Sequence, residues 1–433
     1  MILIYTKLIN PRIKYIFNHI FYNRLGIKID FTSSEKDFIK YESFKMSYND
    51  NQINDEFYIK PSQILLSSKI EEIDINVENW DGIPIFFVDQ KNPFFKFDIF
   101  GASFYLISRY EEYLIHLKDD FGRFDATSSV AYKHRFLNKP IVDFWIDRFK
   151  LKFLDFNPKI NFKKNSFSLV TCLEVPCSYD FKGKGLLRTF GGILRDILRF
   201  DIYRLYRRAT VLLNFVKDPL DNYYEWINMN QKNDIETKVF FLISDFSRYD
   251  RNLSFYSKLF KEKIKDVADF CEVSLLSSFL SINNKKIIKS EKKRLESVVN
   301  KDVNKIRQNL IKLDIPTSYR NFASLGFKED YSLQYYDLPG FRASTSNSFY
   351  FFDLENEIET KLLIKPVCIT DRVLKIYKKP ILARQIIEEI TRYVKKINGE
   401  MILVLNNSII SDYSTNFKWK KMFNKFLNSH GKI

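Results

Sequence analysis

From Phe167 to the end of the chain, short apolar runs alternate with longer stretches whose apolar residues recur at helical spacing. Strands are predicted at Phe167–Val175, Lys238–Ser244, Glu272–Leu276, Lys305–Ile311, Tyr331–Tyr335, Lys361–Ile369 and Met401–Asn406. Helices are predicted between them at Lys184–Arg199, Tyr223–Asn230, Ser254–Phe270, Glu291–Val299, Ile381–Ile397 and Asn416–Leu427. Strands separated by helices in this way argue for a parallel sheet, open or closed into a barrel. Seven strands suit an irregular (β/α) barrel better than a complete eightfold one.

The first half reads differently. Met1–Tyr5 is a short apolar strand, and Pro11 stands ahead of a helix at Ile13–Phe21. Strand-like runs follow at Gln63–Leu66 and Pro84–Val88. A long helix is expected over Asp98–Leu117, in which Arg109 with Glu112 or Tyr113 forms a structural pair. A second helix, Ile141–Leu154, sets Trp145 and Phe149 at i, i+4. A chain of 433 residues has room for about two or three domains. The expected fold class is therefore α/β: a distorted (β/α) barrel of about seven strands over residues 159–433, preceded by an α+β N-terminal domain over residues 1–158.

Charge separates the halves as well. Through Lys150 there are 20 Lys+Arg against 21 Asp+Glu, and beyond it 49 against 32. That asymmetry supports an anionic partner for the second half, with lysines scattered over solvated helix faces as the plainer alternative. Aromatic residues do not interleave with the Lys runs, which disfavours nucleic acid. The four cysteines form no CxxC pair or zinc-finger spacing, so they read as reduced thiols of a cytoplasmic protein. Met1–Tyr5 is too short for a secretory signal, and no stretch reaches the ~18 apolar residues of a transmembrane segment.

Chemistry is expected in the loops leaving the strand C-termini. The first of these is T-C-L-E-V-P-C-S-Y-D-F-K-G-K-G-L-L-R-T-F-G-G (Thr171–Gly192), which carries Glu174. No histidine occurs between Arg135 and Ser429. The runs F-D-I-F-G-A-S-F-Y-L-I-S-R-Y-E-E-Y-L (Phe97–Leu114), D-D-F-G-R-F (Asp119–Phe124) and F-L-N-K-P-I-V-D-F-W (Phe136–Trp145) resemble an uncharacterised N-terminal domain that precedes a polysaccharide deacetylase-like domain in some bacterial proteins. That family usually has His where Phe121 stands. In the second half, K-G-K-G-L-L-R-T-F-G-G, F-F-L-I-S-D-F-S-R-Y-D-R-N (Phe240–Asn252), Y-S-L-Q-Y-Y-D-L-P-G-F-R-A-S-T (Tyr331–Thr345) and F-Y-F-F-D-L-E (Phe349–Glu355) are similar to polysaccharide deacetylases, whose distorted (β/α) barrel removes acetyl groups from sugars.

The resemblance implies an Asp and two His on a divalent metal, an Asp base and a His acid, with the metal activating water. The family's Asp-x-Asp is here Glu174-Val175-Pro176, and its Gly-Ile-His-Pro-Ser-Tyr is Ser274-Leu275-Leu276-Ser277-Ser278-Phe279. Its Arg-Gln-His is Arg307-Gln308-Asn309, and its late Trp-His-Asn is Leu405-Asn406-Asn407. Tyr179, Asp245, Asp250, Arg342 and Asp371 keep family positions. No metal or other cofactor is expected. The catalytic candidates are Glu174, Asp371 and Arg342, the last two expected as a pair holding loops. Tyr179, Asp245, Asn309 and Asn406 are the ligand-binding candidates. A replacement site built on Cys172, Cys177, Glu174 and Asp371 competes with ordinary buried thiols. The leading expectation is a catalytically degenerate barrel that binds an acetylated or anionic polysaccharide, or a protein partner in polysaccharide biosynthesis. One alternative is a hydrolase working through Glu174 and Asp371 by metal-free acid/base chemistry. The other is a basic module for nucleic acid or anionic membrane.

Overall fold

Ile2–Tyr5, four consecutive buried residues, forms strand β1. In the computed structural model, which describes residues 1–431, β1 lies parallel to β2 (Ile29–Thr32) on one side and β3 (Lys45–Tyr48) on the other. Strand β4 (Phe57–Ile59) extends the sheet in the order β2-β1-β3-β4. Helix α1 (Pro11–Phe17) starts where Asn10 accepts the Ile13 N–H and Pro11 occupies the first turn. It runs on as a π-helical segment, Asn18–Arg24. Helix α2 (Ile99–Ile107) is buried along its whole length, and Asp98 caps it by accepting from the Phe100 and Gly101 N–H groups. Helix α3 (Ile141–Phe156) completes the core. Phenylalanines fill that core: Phe17 stacks on Phe100 at 3.7 Å between centroids, and Phe149 meets Phe153 one turn on at 5.0 Å. Trp145 packs edge-on against Phe86 and Phe97 and donates its indole N–H to Pro84 O at 2.8 Å.

The chain divides into two compact units, and this first one comprises residues 1–168, 333–368 and 390–401. Its later part includes an antiparallel hairpin of Phe349–Asp353 and Ile358–Ile364. Gly340 belongs here for a steric reason. Its φ is +134°, and a Cβ would sit 2.2 Å from Leu137 O. Two residues on, Arg342 donates through Nε to Glu112 at 2.8 Å, and Arg109 donates to the same carboxylate at 2.8 Å. All three are buried. Burial alone would raise the Glu112 carboxyl, but Arg342 and Arg109 outweigh it and hold it down to about 2.

The second unit comprises residues 169–332, 369–389 and 402–431 of the described chain. Its strands are β5 (Ser168–Val175), β6 (Glu236–Leu242), β7 (Glu272–Ser277), β8 (Lys305–Gln308), β9 (Glu329–Asp330), β10 (Ile369–Thr370) and β11 (Glu400–Asn406). Within this unit they lie in the order β9-β8-β7-β6-β5-β11-β10, a run of neighbouring strands that makes an arc. The pairs β5–β6, β6–β7, β7–β8, β8–β9 and β10–β11 are parallel. Between them run α4 (Gly185–Leu198), α5 (Ile202–Leu212), α6 (Tyr223–Lys232), α7 (Lys258–Ala268), α8 (Lys285–Val299), α9 (Thr317–Ser324), α10 (Pro380–Lys396) and α11 (Phe417–His430). The chain is thus a mixed α/β protein.

Several elements depart from expectation, each for a local reason. Gln63–Leu66 is a helical turn, not a strand. The helix expected to reach Leu117 stops at Ile107, because Arg109 adopts a left-handed backbone with φ 57°. The strand expected at Pro84–Val88 is confined to Ile83–Ile85, and Phe87 has φ 57°. Strand β8 ends at Gln308 because Leu310 and Ile311 have φ of 55° and 56°. Tyr331–Tyr335 is loop beyond the two-residue β9, and Lys361–Ile369 is split between the hairpin and β10. Helix α5 is an unexpected element; its short apolar steps around three arginines hide the period.

The Glu112–Arg342–Arg109 cluster makes a test. Replacing Arg342 by Ala leaves a buried carboxylate short of one cation, which costs about 3–5 kcal/mol. Urea unfolding followed by tryptophan fluorescence reads that loss, and an unchanged midpoint contradicts the assignment.

Candidate functional site

Glu174 and Arg307 lie on one face of the arc, near the C-terminal ends of β5 and β8, and the register makes this necessary. Glu174 is level with Phe240, Phe240 with Ser274, and Arg307 with Leu276 two residues beyond. Side chains two apart in a strand share a face. Arg307 Nε donates to Glu174 Oε1 at 2.5 Å, and another guanidinium nitrogen donates to Tyr331 O. Leu276, level with Arg307, is fully buried and brings only hydrocarbon.

Beside them, Asp371 opens the short helix that follows β10, and its Oδ1 accepts the Asn406 N–H at 2.9 Å. Burial pushes its carboxyl up to about 6; Lys375 and the Asn406 N–H oppose the rise and the charge of Glu174 adds to it. Asn407 ties the end of β11 to β5. Its N–H donates to Glu174 O at 2.9 Å, and its side chain donates to Cys177 O at 2.8 Å.

Further along the arc the expected ligands are tied to protein. Asn309 donates to Asp250 Oδ1 at 2.9 Å, and that oxygen also accepts the Phe279 N–H at 2.9 Å. Asn406 Oδ1 accepts from Ser408 N at 3.0 Å. Asp245 is exposed and pairs with Arg294 at 2.9 Å. Tyr179 is buried, and its hydroxyl is pushed well up by burial, then by Asp221 and Asp218. Arg342 belongs to the first unit, where Glu112 takes both edges of its guanidinium, so the expected pairing of Arg342 with Asp371 is replaced by Arg342–Glu112. The thiol of Cys177 donates to Tyr179 O at 3.1 Å and is raised by burial, which disfavours the thiolate a metal needs. Glu174, Asp371 and Asn406 are thus brought together; Asn309, Asp245 and Tyr179 sit elsewhere in the same unit.

Sequence reasoning missed three members of this region. Arg307 stands in the strand K-I-R-Q, whose last three residues are buried, and a buried cation demands a partner. Glu291 on α8 accepts the Ser278 N–H at 3.1 Å, and burial raises its carboxyl to about 7. Asp330 accepts the Ser332 N–H at 3.0 Å and is raised by burial to about 6.

The donor set does not fit a catalytic divalent metal. Such a site uses about three His, Cys or carboxylate ligands. Here the matched positions hold Glu174, Pro176, Leu276, Asn309 and Asn406, and Glu174 already faces a guanidinium that repels a second cation. Among the described residues, no three His, Cys, Asp or Glu side chains gather as a metal site requires.

Residues 2–158 match a family of unknown function, DUF7033. The uncharacterised N-terminal region implied by the resemblance is thereby shown, and the DUF7033 segment ends just before β5. No curated protein sequence matches the chain. Among solved structures, the chain is similar to a protein designated polysaccharide deacetylase from Mycobacterium smegmatis, with 12% identity, 62% of this chain and 86% of that one covered, and a TM-score of 0.40. It is similar to PuuE allantoinase, with 8% identity, 61% and 84% covered, and a TM-score of 0.37. It is also similar to a CE4 family pseudoenzyme from Bacillus anthracis, with 10% identity, 62% and 64% covered, and a TM-score of 0.28.

The elevated Asp371 carboxyl sets a pH dependence. A folded value above the unfolded one means the folded state binds the proton more tightly, so this group's contribution to stability grows as pH falls through 6 and levels off near 4. Asp371→Asn removes that contribution, on the order of 1–3 kcal/mol between pH 8 and 4. Urea midpoints of the two proteins across this range should diverge with that sign; parallel curves contradict it.

Proposed function

We propose that this chain is a catalytically degenerate polysaccharide deacetylase-like protein, in which residues 159–433 bind an acetylated or anionic sugar chain at the strand C-terminal ends without hydrolysing it. Residues 1–158 form most of the first compact unit, which also takes in residues 333–368 and 390–401. The observation that carries the reading is the Glu174–Arg307 ion pair. The one carboxylate left of the Asp-x-Asp position is engaged by a fixed cation, and the histidine positions hold Leu276, Asn309 and Asn406. Water activation by a metal needs ligands this set does not offer.

A second reading has one specific observation in its favour. Asp371, raised to about 6, sits close enough to Glu174 to feel its charge. Two carboxyls whose environments differ can divide acid and base roles. In that case Asp371 holds the proton and Glu174, once released from Arg307, takes one.

Acetate release from acetylated oligosaccharides decides between them. The protein is assayed with zinc, cobalt or nickel added, beside Glu174→Gln and Asp371→Asn, and its metal content is measured. The expected result is no release above blank in any form, with binding of the oligosaccharides seen by calorimetry. Metal-independent release that falls above pH 6 and is lost in Asp371→Asn establishes the second reading. Stoichiometric metal with acetate release overturns both.

A further inference from the structure

Helices α4 and α5 form a hairpin with two unlike faces. The inner face is built for fixity. Asp196 on α4 and Arg208 on α5 are both buried and pair at 2.6 Å. Gly192 makes room for this, since a Cβ there would meet Arg208 Nη1 at 2.6 Å. At the base of the hairpin, Asp218 accepts from the Asp180, Phe181 and Lys182 N–H groups at 2.9, 2.8 and 3.1 Å. Arg208 also lies over the Phe181 ring at 4.8 Å.

The outer face is apolar and bare. Leu187 is 90% exposed, Phe200 88%, Ile202 77% and Phe215 76%. On α4 the exposed apolar residues fall at positions 186, 187, 190, 194, 197 and 198, which is one face of a 3.6-residue helix. On α5, Tyr203 and Tyr206 continue the exposed face with amphipathic rings. An unpartnered apolar face of this extent on a firmly held hairpin marks an interaction surface.

Charge identifies the occupant. Against the same hairpin lies a cavity of about 490 Å³ lined by Arg188, Arg195, Arg204, Arg208, Arg248 and Arg251, with Lys184 beside the lone acid Asp180. Arg195, Arg204 and Arg208 share Asp180 and Asp196, which leaves Arg188, Arg248 and Arg251 in excess of these acids. An anionic bilayer offers both complements in one plane: phosphates for the guanidinium groups and the acyl boundary for the apolar face. No helix of the described residues is long and apolar enough to cross a membrane, so the hairpin would lie in the interface.

We propose that the α4–α5 hairpin docks the protein on an anionic lipid surface, its apolar face set into the acyl boundary and its arginine cavity taking lipid phosphate. The full chain is floated with phosphatidylcholine vesicles with and without phosphatidylglycerol. Binding is expected with the anionic lipid and is weakened by salt. The pair Leu187→Asp and Phe200→Asp lowers the partition coefficient at least about tenfold. Arg188→Glu and Arg251→Glu lower it about fivefold or more each. Thermal unfolding, monitored by circular dichroism, stays unchanged for the exposed positions Leu187, Phe200 and Arg251. Absence of flotation overturns the proposal, as does flotation indifferent to the Leu187/Phe200 pair. A dimer in sedimentation that this pair dissociates, without vesicle binding, assigns the face to a second copy and overturns it equally.

Discussion

A guanidinium that is 0% exposed cannot stand without an anion and acceptors around it, and Arg307 is such a group. Glu174 supplies the charge and Tyr331 the carbonyl. These three residues come from β5, β8 and the segment after β9, so one side chain sets the relative height of distant strands in the arc. A slip of one residue in β8 would turn Arg307 to the opposite face and leave both it and Glu174 unmatched. The strand register and the chemistry of the site are therefore the same constraint.

The first unit uses the same device at Glu112. There two arginines meet one carboxylate and hold its proton affinity down against the effect of burial. Glu174–Arg307 and Glu112–Arg342 join partners far apart in sequence, so these two ion pairs form only with the tertiary fold, whereas Arg109 lies three residues from Glu112. Such pairs are costly to break and modest in net gain, which makes them better at specifying one arrangement than at raising stability. At Glu174 this has a functional consequence. An oxygen engaged by a guanidinium at 2.5 Å is neither an open metal ligand nor an unencumbered base.

How much of this could be read from sequence follows from which interactions are local. Strands β5, β6, β7 and β11 and most helices declared themselves by period, since burial of one face dictates apolar spacing. The elements that failed did so where a single backbone angle intervened. Arg109, Leu310 and Ile311 take left-handed conformations that no propensity announces, and each ends its element early. At the site, the substitutions at Leu276, Asn309 and Asn406 were legible as residue types. The partner of Glu174 was not, because 133 positions separate it from Arg307. Nor was the placement of Arg342, which lies 230 positions from Glu112.

The basic balance of the second half shows the same division between what composition states and what geometry decides. An excess of cations beyond Lys150 is equally consistent with lysines spread over wet helix faces and with a built anion site. Lysines spread in that way tend to alternate with acids along a face and so cancel locally. The hairpin does otherwise: Arg188, Arg195, Arg204 and Arg208 converge on one cavity, next to apolar side chains that none of the described residues covers. Long arginine stems can lie along hydrocarbon while their heads stay wet, so the two features support each other instead of competing. Hydrophobic area there holds the surface close, and charge selects which surface it is.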